Sequence, residues 1–183
     1  KKNMIDFKDS FKEVYSTNSI VLEDNKIDKL FSGSDAGKAV RSIKGEEIDY
    51  EFSTDQEAKN AALSQNNTEE IINILRKANE AARSFGTKIK QVTVSYADKI
   101  QSVEIENSSG ISVRDARIRT RFLINVVAQE EEILQTGYET AGRSGLPAGR
   151  QGKPFALEFL TSVNIDKLSK QAAQRALLML GAR

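Results

Sequence analysis

Histidine and cysteine are both absent from this chain of 183 residues. Without histidine the commonest general acid and base is gone, and so are the nucleophilic triads built on imidazole. Without either residue, a zinc site would have to be made from carboxylates alone, a donor set zinc rarely accepts. Asp, Glu and Lys are what remain for chemistry, so catalysis by this chain alone is not expected. The lack of cysteine also removes disulfides, which leaves no argument for export and none against the cytoplasm. No apolar run approaches the ~20 residues that cross a bilayer. The opening KKNMIDFKDSF begins on two lysines but lacks the apolar core of a signal peptide. No membrane partner is therefore expected.

A charge excess is missing too. With 27 basic and 26 acidic residues the net charge is +1. A nucleic-acid binder usually carries a basic surplus or stripe, and the bulk balance argues against one here. What is present suits a globular chain: 39% hydrophobic and 29% charged residues. The length fits a single domain, 1–183, and a domain near this size buries roughly 70% of its unfolded surface.

The hydrophobic period changes along the chain. Ser19–Leu22 and Lys29–Phe31 flank the turn signal Glu23-Asp24-Asn25-Lys26, which predicts a hairpin. Ser32–Gly37 reads as a second turn. Lys38–Ile43 and Glu47–Phe52 flank Lys44-Gly45-Glu46 and predict another hairpin. Ile48, Tyr50 and Phe52 alternate with Glu47, Asp49 and Glu51, the pattern of a strand with one buried face.

Helical spacing comes next. Thr54 or Asp55 caps a short helix over Gln56–Ser64. Asn67 with Glu70 has capping-box spacing before a helix over Glu69–Phe85 that ends at Gly86. The apolar face of that helix is Ile71, Ile72, Leu75, Ala78, Ala81, Ala82 and Phe85. Strands return at Gln91–Ala97, Ile100–Glu106, Ile111–Val113, Arg117–Gln129 and Glu132–Thr140, with a turn at Asn107–Gly110. Ala156–Thr161 reads as one more strand. Asn164 or Asp166 then caps a last helix, with Leu168, Ala172, Ala176, Leu177 and Leu180 on its face. The order predicts an α+β fold: a mostly antiparallel sheet of hairpin-linked strands, with two central helices and a C-terminal helix packed on one side.

Candidate sites are few. Arg117, Arg119 and Arg121 alternate with Ile118, Thr120 and Phe122, so strand geometry puts the three guanidinium groups on one face. That face could contact phosphate, a peptide or a partner. It could equally be a solvated face with acidic cross-strand neighbours, Glu104 near Arg114 and Glu139 near Arg121. Glu130-Glu131-Glu132 reads as a charged turn, since adjacent strand residues diverge and do not gather a metal. Thr136–Phe155 (TGYETAGRSGLPAGRQGKPF) holds five of the 11 glycines and both prolines. It is not a phosphate loop: after Gly152-Lys153, Pro154 stands where Ser or Thr is needed, and no helix starts there. Gly142–Lys153 is expected to be a flexible surface loop, with Arg143 and Arg150 in solvent.

Several longer stretches carry a resemblance: SIVLEDNKIDKLFSGSDAGKAVRSIKGE, KIKQVTVSYADKIQSVEIENSSG, VRDARIRTRFLINVVAQEEEILQTGYETAG and the closing QAAQRALLMLGAR. In this order they resemble the amino-terminal domain of the TldD/PmbA metalloprotease family, once called modulators of DNA gyrase, and more the TldD branch. The resemblance covers nearly the whole chain. It implies a cytoplasmic metallopeptidase that acts on small unstructured peptides as a homo- or heterodimer. Its zinc, held by an H-E-x-x-x-H helix and a cysteine, belongs to a carboxy-terminal domain. No cofactor and no catalytic or metal residue therefore carries over to this chain. The last helix, 165–183, is expected to lead into that catalytic domain, and residues 142–153 to be an insertion. Arg117, Arg119, Arg121 and Tyr138 are the candidate peptide or partner contacts. The alternative is a stand-alone module binding a protein or nucleic acid through its arginine face.

Overall fold

The computed structural model describes residues 6–62, 67–145 and 155–182. Along them run β1 (Phe7–Glu23), β2 (Lys26–Lys44), β3 (Glu47–Thr54), α1 (Gln56–Ala62), α2 (Thr68–Arg83), β4 (Ile89–Asn107), β5 (Ser112–Glu130), β6 (Ile133–Gly145), α3 (Phe155–Ser162) and α4 (Ile165–Gly181). The strands make one mostly antiparallel sheet in the order β3-β2-β1-β4-β5-β6. The expected α+β class is the one the chain adopts.

The hairpin turns sit where the sequence signals them. Asp24 and Asn25 both take positive φ between β1 and β2, the demand of a tight two-residue turn. Gly45 does so between β2 and β3, where Lys44 faces Glu47. Between β4 and β5 the Asn107 side chain accepts from the amides of Ser109 and Ile111, and Gly110 has φ 83°. Glu131 has φ 54° in the turn that joins β5 to β6, so the acidic triplet is a turn as expected.

Four local expectations are corrected. Ser32–Gly37 is strand and not turn: β2 runs through it, with Ala36 buried and the Ser34 hydroxyl bonded to the Lys59 carbonyl of α1. Small residues there admit close neighbours without bending the chain. Gln91–Ala97 and Ile100–Glu106 are one strand, β4, because the polar Asp98 is satisfied inside it. Ala156–Thr161 lies in helix α3, where Phe155 and Phe159 stand four residues apart on a buried face. Asn67 does cap α2, but its side chain makes no capping bond, so the capping box is not formed. By contrast, Asn164 accepts from Lys167 N at 2.9 Å and caps α4, and Asp55 accepts from Ala58 N at 2.9 Å before α1.

The chain divides into two compact units. One comprises Asn18–Phe31, Asn67–Asp98 and Ile118–Arg183. Its core is formed by alternate residues of the strands (Val92, Val94 and Tyr96 of β4; Phe122, Ile124 and Val126 of β5) under the apolar faces of the helices. Helix α2 buries Ile71, Ile72, Leu75, Ala78 and Ala82 as expected, but also Asn79, while Phe85 past its end is exposed. Helix α4 packs on β6 at Gly137, where an added Cβ would meet Ala176 N at 2.5 Å and Ala172 O closer still. No other residue type fits that crossing.

The other unit comprises Lys1–Thr17, Ser32–Asn66 and Lys99–Arg117. It has almost no closed core. Ala36 and Ser16 are its buried residues among those described. Ladder hydrogen bonds and surface ion pairs hold it: Arg41 with Asp9, Lys12 with Asp55, and Arg114 with Glu104.

Candidate functional site

The arginine row does not form one site. Arg117, in the open unit, is paired with Asp115 at 2.6 Å. Arg119 and Arg121, in the packed unit, are exposed and make no ion pair with a described residue. On the β6 side the register offers them none. Arg119 stands opposite Ser144 and Arg121 opposite Gly142, neither of which can offer a counter-charge. Glu139, expected beside Arg121, faces Ile124 instead, and so lies on the helix side of the sheet. There its carboxylate stands 2.9 Å from the Arg175 guanidinium of α4. The expected pairing of Glu104 with Arg114 is present, with Arg114 Nε donating at 2.6 Å.

Strand alternation sets the two arginines on the face of β5 turned from the helices, with Leu123, Asn125 and Val127. The register adds Tyr138 opposite Asn125 and Thr140 opposite Leu123. Tyr138 is 61% exposed. Among the described residues, the sheet of this unit thus presents a face of mixed apolar and hydroxyl groups, half-buried at Leu123, Asn125 and Val127 and exposed at Tyr138, with the Arg119 and Arg121 guanidinium groups toward one end. β6 is the terminal strand, and it carries neither lysine nor proline to block pairing. Its two charged side chains, Glu139 and Arg143, are engaged with Arg175 and Glu158. Arg143 thus departs from the solvent position expected for it. It pairs with Glu158 at 3.3 Å and lies over the Phe155 ring at 5.1 Å. Gly142–Gly145 belong to β6, and the rest of the expected loop, Arg150 included, lies outside the described residues.

The packed unit also holds one buried carboxyl group. Asp98 is 6% exposed. It accepts from the Tyr96 hydroxyl at 2.8 Å and from the Asn18 amide at 3.0 Å. Both donors are neutral, and burial pushes the Asp98 carboxyl above the usual carboxylate range. Burial, reinforced by Asp98, likewise raises the Tyr96 phenol. The sequence signal for this pair is Tyr96 and Asp98 two residues apart on one strand face, although an Asp there ordinarily marks a strand end. Asn79 Oδ1 is buried with no partner among the described residues, which suits a bound water.

Among the described residues, the open unit carries at least two shallow grooves. One, of about 410 Å³, has Phe11, Tyr15 and Phe52 for walls and Gly37 and Ala39 for a floor. Lys99 lies over the Tyr15 ring at 4.4 Å. The other, of about 490 Å³, sets Val14, Val103 and Ala116 between the charged Lys12, Glu104 and Arg114. In both, the charged groups are matched or solvated, and no nucleophile and base converge among the described lining residues.

Known proteins align with this fold over most of its length. The family description "PmbA/TldA metallopeptidase central domain" matches residues 61–180, and "PmbA/TldA metallopeptidase domain 1" matches residues 11–82. A metalloprotease TldD homolog of Buchnera aphidicola is 25% identical, over 98% of this chain and 44% of its own length. A putative modulator of DNA gyrase from Thermotoga maritima superposes with a TM-score of 0.72 at 14% identity, over 97% of this chain and 45% of its own. TldE from Thermococcus kodakarensis does so with a TM-score of 0.64 at 12% identity, over 94% and 44%. The chain thus spans less than half the length of the relatives it matches. On the strength of the matched stretches, which run from residue 11 to residue 180, this chain belongs to the PmbA/TldD metallopeptidase family.

Proposed function

We infer that this chain is the non-catalytic amino-terminal part of a TldD-like zinc metallopeptidase. In this reading it helps to enclose the chamber where unstructured peptides are cut, and works in the cytoplasm as a dimer with a TldD/PmbA-type subunit. One observation carries the reading. The family's first and central domains account for residues 11–180, while the chain lacks both residues on which a histidine- and cysteine-based zinc site depends.

Zinc does not fit the residues present. The chain has no histidine or cysteine, and among the described residues no three carboxylates gather. No step of hydrolysis is assigned to it. Its contribution is a surface. The β6 edge can bond an extended peptide through main-chain groups, which ignore side-chain identity and so suit unstructured substrates. Tyr138, Arg119 and Arg121, exposed on the adjoining face, would touch the peptide's side chains or a terminal carboxylate.

The test is to mix the pure chain with a flexible peptide and with zinc. Binding without cleavage is expected, and no stoichiometric zinc should survive dialysis. Cleavage by the pure chain, or zinc retained one to one, would overturn the reading.

A further inference from the structure

Strand β3 has the sequence of a half-buried strand and the environment of a bare one. Ile48, Tyr50 and Phe52 alternate with Glu47, Asp49 and Glu51, yet every residue of β3 is exposed. Phe52 is 80% exposed, and its ring stacks on Tyr50 at a centroid distance of 6.5 Å. A strand with large apolar groups on one face ordinarily covers them, and no described part of this chain does so.

The main chain of β3 is open as well. β3 is the last strand of the sheet, and among the described residues its ladder partner is β2. A two-residue turn makes Lys44 and Glu47 a hydrogen-bonded pair, and bonded and non-bonded pairs then alternate along the ladder. The Ile43 carbonyl accepts from Asp6 N at 3.0 Å, away from β3, which confirms that phase. Ile48, Tyr50 and Phe52 therefore turn their N–H and C=O groups to the free edge.

Charge selects the occupant. Glu47, Asp49 and Glu51 share a face, and none makes an ion pair with a described residue. Lys44 stands opposite Glu47 without pairing to it, while Asp49 and Glu51 face the uncharged Ser42 and Val40. A second copy of β3 is a poor partner. Antiparallel self-pairing about a two-fold axis normal to the sheet would line carboxylates beside carboxylates, which is destabilising. Parallel self-pairing about an axis along the strands would set carboxylates beside Ile48, Tyr50 and Phe52. The acids thus act against self-association while leaving the edge open to an unlike strand.

We propose that the β3 edge is a docking site for an extended segment of another protein, one that alternates lysine or arginine with apolar residues. Added next to β3, such a strand sets its basic residues beside Glu47, Asp49 and Glu51 and its apolar ones beside Ile48, Tyr50 and Phe52, and takes up the free main-chain groups. The proposal is independent of the peptidase reading, since it concerns another strand and another unit.

The test uses the intact chain, amide hydrogen exchange read by NMR, and a short capped peptide alternating lysine and valine. Protection of the Ile48, Tyr50 and Phe52 amides is expected. A peptide alternating glutamate and valine should bind about tenfold more weakly or less, and a proline at a bonding position should abolish protection. Replacing Glu47→Lys, Asp49→Lys and Glu51→Lys together should reverse the preference between the two peptides. That triple variant lies on an exposed face, so circular dichroism should show it folded. Equal protection by both peptides, no protection at millimolar peptide, or protection of these amides by self-association of the unmodified chain would each overturn the proposal.

Discussion

The two units are built from the same kind of strand and stabilised in opposite ways. Ile118–Phe122 of β5 in the packed unit and Glu47–Phe52 of β3 in the open unit both alternate charged residues with residues of the opposite face. Phe122 of β5 is fully buried, while Phe52 of β3 is 80% exposed. The difference lies in the helices that each unit possesses and not in the strands themselves. Three helices, α2, α3 and α4, belong to the packed unit; α4 packs on β6, and α2 packs on α4 and α3. The seven residues of α1 are the one described helix of the open unit. Alternation therefore marks a face that needs cover, and only the helices decide whether the chain supplies that cover itself.

The sharpest way to break the comparison is at the two phenylalanines. Phe122→Ala should cost about 3–5 kcal/mol, the usual loss for a buried aromatic. Phe52→Ala should stay within about 0.5 kcal/mol, as an exposed change does. Equal losses in urea unfolding would mean that the open face is covered in solution.

Next come two strand glycines. Gly137→Ala drives a methyl group into the backbone of α4 and should cost about 1–3 kcal/mol or more. Gly37→Ala meets only Ser53 O at 3.4 Å, and should change stability by less than about 1 kcal/mol in either direction. Thermal unfolding of the pair separates the two contexts.

The smallest effects are in pH dependence, and they carry opposite signs. Asp55 in the open unit bonds to Lys12 and to Ala58 N, which hold its carboxyl below the usual range. A lowered value in the folded state gives stability above the unfolded pKa, lost as pH falls through the folded one. Asp98 in the packed unit is raised by burial. Folding then favours its protonated form, so its contribution is full below the unfolded pKa and declines as pH rises through the folded value. Asp55→Asn should thus be less stable than the parent at neutral pH and converge with it in acid. Asp98→Asn should gain on the parent as pH rises above the unfolded carboxylate value. Denaturant titrations across that range check both, and a shared sign would contradict the assigned environments.

Much of the fold is legible because its signals are local. The Asp24-Asn25, Gly45 and Gly110 turns need positive φ or a side-chain bond to the next amides, and the residues that provide these stand in place. Helical spacing alone gives most of the buried face of α2, and Ala172, Ala176 and Leu180 of α4, although α4 also buries Ile165, Ser169 and Ala173 and leaves Leu168 and Leu177 half-buried. The departures share a cause. At Ser32–Gly37, Asp98 and Ala156–Thr161 residue type points one way, and a neighbour distant in sequence decides otherwise. Those neighbours are the α1 carbonyl at Lys59, the amide of Asn18, and Arg143 of β6, whose guanidinium meets the Phe155 ring and the Glu158 carboxylate of α3. The candidate site is less legible. Alternation does expose Arg119, Arg121 and Tyr138 on a strand face. Yet the sequence could not tell that Glu139 turns to Arg175, since a cross-strand register places it on the other side of the sheet.

By itself, then, the sequence determined the α+β class, the hairpins, most of the buried face of α2, and the lack of histidine and cysteine side chains. Only the tertiary structure decided which alternating strands are covered and which are bare. Burial depends on where helices fall across the sheet, which is a matter of packing and not of periodicity.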